Sequence, residues 1–250
     1  MRNTPLVKLA KEIIDSGRIG TVEHVQAVNN VPYGNVYYLN WYRDEQITGG
    51  LFLQKATHDF NYINYLVGQN PVTVCALESK QIYKGHKKPR LQCTDCDEKY
   101  TCPESSLNHD LGKYCSFAED TGNEDSGSAL IRYDTGMHVS YSQNFFARAA
   151  GKRGARLLGY KGTLEFDWYT SELKVLMHHE ARVESHQLDA NAYDGHGGGD
   201  TKLLLDFTRV LRGLEESATP LEDGLLSALL CLKANESADT NTFRTIDWNR

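Results

Sequence analysis

From Ser126 to Leu188 the chain runs through six short stretches of strand-forming residues with few residues between them. They are Ser126 to Tyr133, Met137 to Phe146, Ala155 to Gly159, Thr163 to Trp168, Leu173 to Met177 and Ala181 to Leu188. A parallel pair needs a crossover of about a dozen residues or more, whereas antiparallel neighbours are joined by a tight turn. The connections here are short, and Asp134-Thr135-Gly136 is a hairpin signal. The segment therefore predicts an antiparallel meander, and the rest of the chain must be built around that sheet.

The flanking segments supply helices. Thr4 is a capping residue and Pro5 suits the first helical position, while Leu6, Leu9, Ala10, Ile13 and Ile14 recur at helical spacing up to Gly17. A strand is predicted from Thr21 to Val31, a long loop over 32–48, and a helix from Gly49-Gly50 to Leu66, ended by Gly68. Pro71 to Ser79 reads as a strand, and 80–124 as a polar insertion carrying four cysteines. After the meander, a helix is expected from Asp200, acting as its cap, to about Arg212. Another starts at Thr219-Pro220, with Glu222 placed for a capping box and Leu225, Leu226, Leu229 and Leu232 as its apolar face. Thr242 to Ile246 is a candidate last strand. The fold class is α+β: a large, mostly antiparallel, open-faced sheet with helices packed on one face, in one domain over residues 1–250. The uncovered face predicts self-association, making the chain a homo-oligomer.

Several classes of function are disfavoured. The formal net charge of -6 argues against a nucleic-acid surface, which needs clustered Lys and Arg. The one basic run, Lys84 to Arg90, is short and contains a proline, as a solvated loop does. No apolar run reaches the ~18 residues of a membrane span, and the first residues do not resemble a signal peptide. A cytoplasmic location is expected, and in that compartment the six cysteines read as metal ligands or buried thiols before disulfides. Nucleotide motifs are missing as well. There is no G-x-G-x-x-G between a strand and a helix, and Gly197-Gly198-Gly199 follows the meander and precedes an acid.

The segment GGLFLQKATHDFNYINYLVG carries the most chemistry. On a helix of 100° per residue, Phe52, Ala56, Ile63 and Leu66 face one way, and Lys55, His58 and Tyr62 form an adjacent stripe. An imidazole is a general base or acid near neutral pH, and a nearby ammonium disfavours its protonation and stabilises an alkoxide. Spacing alone leaves open a second reading, a helix edge with a solvated lysine.

This segment resembles the glucose–fructose oxidoreductase, inositol dehydrogenase and rhizopine catabolism family, Gfo/Idh/MocA, whose members have a GG-x-L pair and then a helix with a central H-D. The opening PLVKLAKEIIDSGRIGTVEHV, the strand GYKGTLEFD and the closing stretches GHGGGDTKLLLDFTRVLRG and TPLEDGLLSALLCLKANESADTNTFRTI are similar to the family's in order and spacing. The likeness covers nearly everything but the cysteine insertion. It implies a C-terminal, substrate-binding and oligomerising domain that works with an N-terminal Rossmann domain. That partner domain, with its E-K-P lysine, is expected to precede this sequence. The resemblance also implies NAD or NADP bound mainly by that domain, and a small carbohydrate-like substrate. His58 would be the acid/base, and Lys55 would stabilise the alkoxide. Arg43, Tyr62 and His196 are candidates for contacts to substrate hydroxyls or carboxylates. Gln54 stands where many members place an Asp four residues before the His, and Asn61 also replaces a frequent Asp. Two other outcomes are compatible with the family likeness: NAD-assisted glycoside hydrolysis, and a non-catalytic dimerising or binding module.

Cys93, Cys96, Cys102 and Cys115 are spaced C-x2-C-x5-C-x12-C in a polar context. A C-x2-C turn aims two thiolates at one tetrahedral ion, so a structural zinc is expected there, with His109 as a substitute ligand. Cys75 and Cys231 sit in apolar patterns and read as core.

Overall fold

The computed structural model describes residues 1–109, 111–189 and 195–248, with only the backbone at 195–197. Helix α1 (Pro5–Asp15) begins as its sequence dictates: the Thr4 hydroxyl accepts from the Val7 amide and Pro5 occupies the first turn. It buries Leu6, Val7, Ala10 and Ile13. Strand β1 (Val22–Asn30) turns Val25, Ala27 and Asn29 inward.

The expected loop at 32–48 is instead a chain of single turns, α2 (Val36–Leu39), a 3-10 turn (Trp41–Arg43) and α3 (Glu45–Thr48). They are held by a small core of their own, formed by Val31, Tyr37, Tyr38, Leu51, Tyr83 and Phe145. Gly34 belongs to this packing, because a Cβ there would overlap the Phe145 carbonyl.

A π-helical turn (Phe52–Ala56) leads directly into α4 (Thr57–Val67), and strand β2 (Pro71–Ser79) follows. The meander strands form as predicted: β3 (Ser126–Tyr133), β4 (His138–Asn144), β5 (Lys152–Gly159), β6 (Gly162–Asp167), β7 (Glu172–Met177) and β8 (Val183–Gln187). Helices α5 (Gly195–Leu211) and α6 (Leu221–Thr240) and the short β9 (Arg244–Thr245) close the chain.

The nine strands form one sheet in the order β8-β7-β6-β5-β1-β4-β3-β2-β9. The meander is therefore divided. Strand β1 lies between β4 and β5, parallel to the first and antiparallel to the second, and every other neighbouring pair is antiparallel. Helices α1, α4 and α6 cover one face, where Phe52, Phe60, Ile63, Leu66, Ile131, Val139, Leu157, Leu164 and Leu230 share a single core. The other face is open and carries a groove of about 600 Å³ lined by Gln26, Val28, Leu77, Ser128, Leu130 and Arg156 among others. Cys75 lines this groove and is not a core residue, whereas Cys231 is fully buried.

Two helix expectations are corrected. Helix α6 has Pro220 at its cap position with no side-chain hydrogen bond, so the Thr219–Glu222 capping box does not form. Asp200 lies inside α5, which starts at Gly195. Among the described residues no helix is long and apolar enough to cross a membrane.

Candidate active site

The site grows from one end of the sheet, where β1 and β4 finish, β5 begins and β6 turns into β7. Gly49 and Gly50 have φ of 74° and 82°, which suits glycine and starts the site helix with a sharp change of direction. Its first amides are capped from far away in sequence: the Glu124 carboxylate accepts from Leu51 N at 2.8 Å and Phe52 N at 3.0 Å. An acid there complements the helix dipole. Burial raises the Glu124 pKa above its ordinary value, and these backbone bonds oppose the rise.

At the π turn, the Thr57 amide reaches the Phe52 carbonyl. Such turns recur at functional sites. This one carries Lys55, which is only 7% exposed. Its ammonium donates to Tyr33 Oη at 2.8 Å and lies 4.9 Å from the Tyr33 ring centre and 5.6 Å from that of Tyr37. The next turn presents His58, whose side chain is exposed to solvent while its ring sits close to the buried Asp59–Arg153 pair. Desolvation first, then the Arg153 charge, pushes its pKa down to about 4, with Asp59 opposing. No hydrogen bond to a described residue engages the ring, so His58 is a neutral imidazole available to accept a proton.

Beneath it lies a buried polar network. Asp59 is fully buried, and every lone-pair direction it has is used. Its Oδ1 accepts from Arg153 Nε at 2.8 Å and Nη2 at 2.6 Å, and its Oδ2 from Asn29 Nδ2 at 2.7 Å and Tyr141 Oη at 2.9 Å. The paired guanidinium and carboxylate tie α4 to β1, β4 and β5. The Asp59 carboxylate is satisfied at both oxygens, and only the Asn29 amide oxygen of this group lacks a partner; a network so nearly satisfied is rigid and fixes the helix that carries His58. Arg153 also lies 5.6 Å from the Trp168 ring centre. Tyr169, beside Trp168 on the β6–β7 turn, has its phenol pKa raised by burial first and then by the neighbouring Tyr33 hydroxyl, so the two tyrosines stand close together on the rim.

Lys55 and His58 lie one turn apart and feel each other's charge, whereas Tyr62 and Arg43 are engaged elsewhere. Tyr62 is fully buried, with its ring edge-on to Phe166 and Trp168 and its hydroxyl 3.4 Å from the Gly154 carbonyl; it is a core residue. Arg43 is committed to Asp120 at 2.6 Å, and its guanidinium lies 4.9 Å from the Tyr114 ring centre. It anchors the insertion to the 3-10 turn through Nη2, while its Nε and Nη1 are buried without a hydrogen-bond partner among the described residues. The His196 side chain lies outside the described residues. Sequence reading missed Asp59, Arg153, Asn29, Tyr141, Tyr33 and Glu124. The H-D dipeptide was a signal for Asp59, but its partners are 30 to 94 residues away in sequence.

The expected zinc site is not supported. Among the described residues no group of three or more His, Cys, Asp or Glu is placed to hold a metal ion. The four thiols share one neighbourhood. Cys93 Sγ lies 3.5 Å from the Tyr114 carbonyl oxygen, and Cys115 is in a small cluster with Leu91 and Ala118 that Cys96 packs against. Burial first raises the Cys102 and Cys115 thiols, and the neighbouring thiols add to it.

Comparison with known proteins agrees with this architecture. The protein YteT of Bacillus subtilis (strain 168), which carries an oxidoreductase name, is 28% identical over 248 residues, covering 82% of this chain and 58% of YteT. The crystal structure of an oxidoreductase domain protein from Kribbella flavida superposes with a TM-score of 0.77 at 16% identity, over 99% of this chain and 65% of that one. Levoglucosan dehydrogenase in complex with NADH and levoglucosan gives a TM-score of 0.74 at 19% identity, over 98% and 64%. These two likenesses show the fold. The chain thus spans about three fifths of the length of such relatives. A sequence profile described as the GFO/IDH/MocA C-terminal domain matches residues 7–165, and the chain belongs to that family.

Proposed function

We propose that this domain is the substrate-binding half of an NAD(P)-dependent oxidoreductase acting on a sugar, polyol or related hydroxy compound. The observation that carries the reading is His58: a neutral imidazole with no hydrogen-bond partner among the described residues, on a helix fixed by the Asp59–Arg153 network, one turn from a buried ammonium. The family fold and the oxidoreductase name of YteT agree with it.

The residues present fit the proton side of alcohol oxidation. His58 accepts the proton of a substrate hydroxyl, and Lys55 supplies positive charge to the substrate oxygens. A bound nicotinamide would supply the hydride acceptor, and its nucleotide is proposed to be held mainly by a further, Rossmann-type domain. The rim tyrosines Tyr33 and Tyr169 offer a surface for the faces of a sugar ring. The open sheet face is proposed as the surface through which copies of the domain associate.

The test is stoichiometry in the complete protein. Net oxidation reduces one free NAD(P)+ for each carbonyl formed, which absorbance and product analysis measure together. Cleavage of a glycosidic bond without net cofactor reduction contradicts this reading and supports NAD-assisted hydrolysis. Tight binding of a sugar with no chemistry supports a binding module.

A further inference from the structure

Four basic side chains are buried in the described structure: Arg2, Arg43, Lys55 and Arg153. Three have a carboxylate at 2.6 Å, namely Asp223, Asp120 and Asp59. Lys55 has none among the described residues. Its ammonium donates to the Tyr33 hydroxyl, is hydrogen-bonded to the Tyr37 phenol as well, and lies against the rings of both. The one acid beside His58, Asp59, is already bonded on both oxygens and neutralised by Arg153. The neighbouring polar positions Gln54 and Asn61 are amides.

A buried charge is costly unless paired. An alkoxide that exists only fleetingly does not offset that cost in the resting complex, whereas a carboxylate carried by the bound substrate does. The geometry suits one. The Tyr33 oxygen accepts from Lys55, so its own proton is free to be donated outward, and Tyr33 is 42% exposed. Ammonium and phenol thus present two donors on one side, a turn away from His58. From this we propose that the substrate is a sugar acid, whose carboxylate is bound by Lys55 and Tyr33 while one of its hydroxyls faces His58.

This inference rests on the sugar-oxidoreductase reading for its ring chemistry but is tested without cofactor. D-glucuronate, D-galacturonate and D-gluconate are titrated into the 250-residue protein by calorimetry, beside their neutral amides. At least one acid is expected to bind about tenfold or more tighter than its amide, as a charge-assisted pair requires. The preference should shrink as salt is raised. Lys55→Met should abolish the preference and Lys55→Arg should keep part of it, with circular dichroism confirming that both variants fold. Tyr33→Phe is expected to weaken acid and amide binding unequally, the acid more. Equal binding of acid and amide, a preference that survives in Lys55→Met, or no binding of any acid each overturns the proposal.

In the complete protein, Lys55→Met should act on KM for the acid. A loss confined to kcat would assign Lys55 to the alkoxide alone and also overturn it. Turnover of neutral sugars in preference to acids sinks this inference and leaves the oxidoreductase reading standing. Lys55-dependent acid binding with no hydride transfer does the reverse.

Discussion

His58 and Asp59 are adjacent in sequence and do opposite things. His58 has no hydrogen-bond partner among the described residues, and Asp59 is saturated with four donors. The contrast arises because successive helical positions point about 100° apart, so one side chain reaches the rim of the sheet and the next enters its core. Removing the charge of Asp59 leaves Arg153 buried without its counter-ion, and breaking a buried pair costs about 3–5 kcal/mol. Asp59→Asn is therefore expected to lower the denaturant midpoint by that equivalent, measured by urea unfolding. A loss below about 1 kcal/mol, typical of an exposed ion pair, would show that the network does not hold α4. The stripe Lys55–His58–Tyr62 was legible in the sequence, but its depth was not. Tyr62 is one turn, about 6 Å, further along the helix than His58, and that shift moves it beneath β5 and β6. Arg43 was misread for a different reason, since its partner Asp120 is 77 residues away in sequence and no local pattern announces it.

At the scale of elements, the strands were legible to within one or two residues, except that β5 starts three residues before the predicted Ala155, because alternation and turn residues coincide. Helix α6 was placed correctly but rotated wrongly. Its buried side holds Leu226, Ser227, Leu230, Cys231, Ala234 and Ser237, while Leu225 and Leu232 are about half exposed. Small polar residues are buried there because their hydroxyls are hydrogen-bonded. Ser227 Oγ donates to Asp223 O, and Ser237 Oγ accepts from Ala76 N and donates to Thr242 O. A hydrophobicity count sees the leucines and misses the serines.

The insertion was read as a metal-knitted loop and is instead a structural strap. Its last residues, Asn123 and Glu124, bond to the 37–52 segment and cap the site helix. Beside that cap, the Glu78 carboxyl is pushed up to about 8 by burial first and then by Glu124, from an ordinary 4.5. Its folded pKa is thus above its unfolded one, so its contribution to stability is full below about pH 4.5 and is lost as pH rises through about 8. Glu78→Gln is expected to raise Tm relative to the parent at pH 9 and to change it little at pH 5. The same Tm difference at both pH values would contradict a proton held by Glu78.

For the whole molecule, the decisive feature is β1 in the middle of the sheet, parallel to β4. It joins two antiparallel runs into one nine-stranded layer and brings Asn29 to Asp59 at the site. The sequence showed the strand but not its place, because a parallel partner more than 100 residues away leaves no local trace. The same layer exposes Leu77 and Leu130 on its uncovered face at 62% and 55%. If copies associate there, Leu130→Asp yields a monomer by light scattering where the parent is a dimer or larger. An unchanged oligomer would place the contact elsewhere.

The chemistry proposed for the domain depends on one imidazole, His58. Its most direct test is turnover of the complete protein with its hydroxy substrate and NAD(P)+, comparing the parent with His58→Asn. A fall in kcat of about 10²–10⁴-fold is expected, the usual contribution of a positioned general base, with nucleotide binding retained. A kcat within twofold of the parent would contradict it.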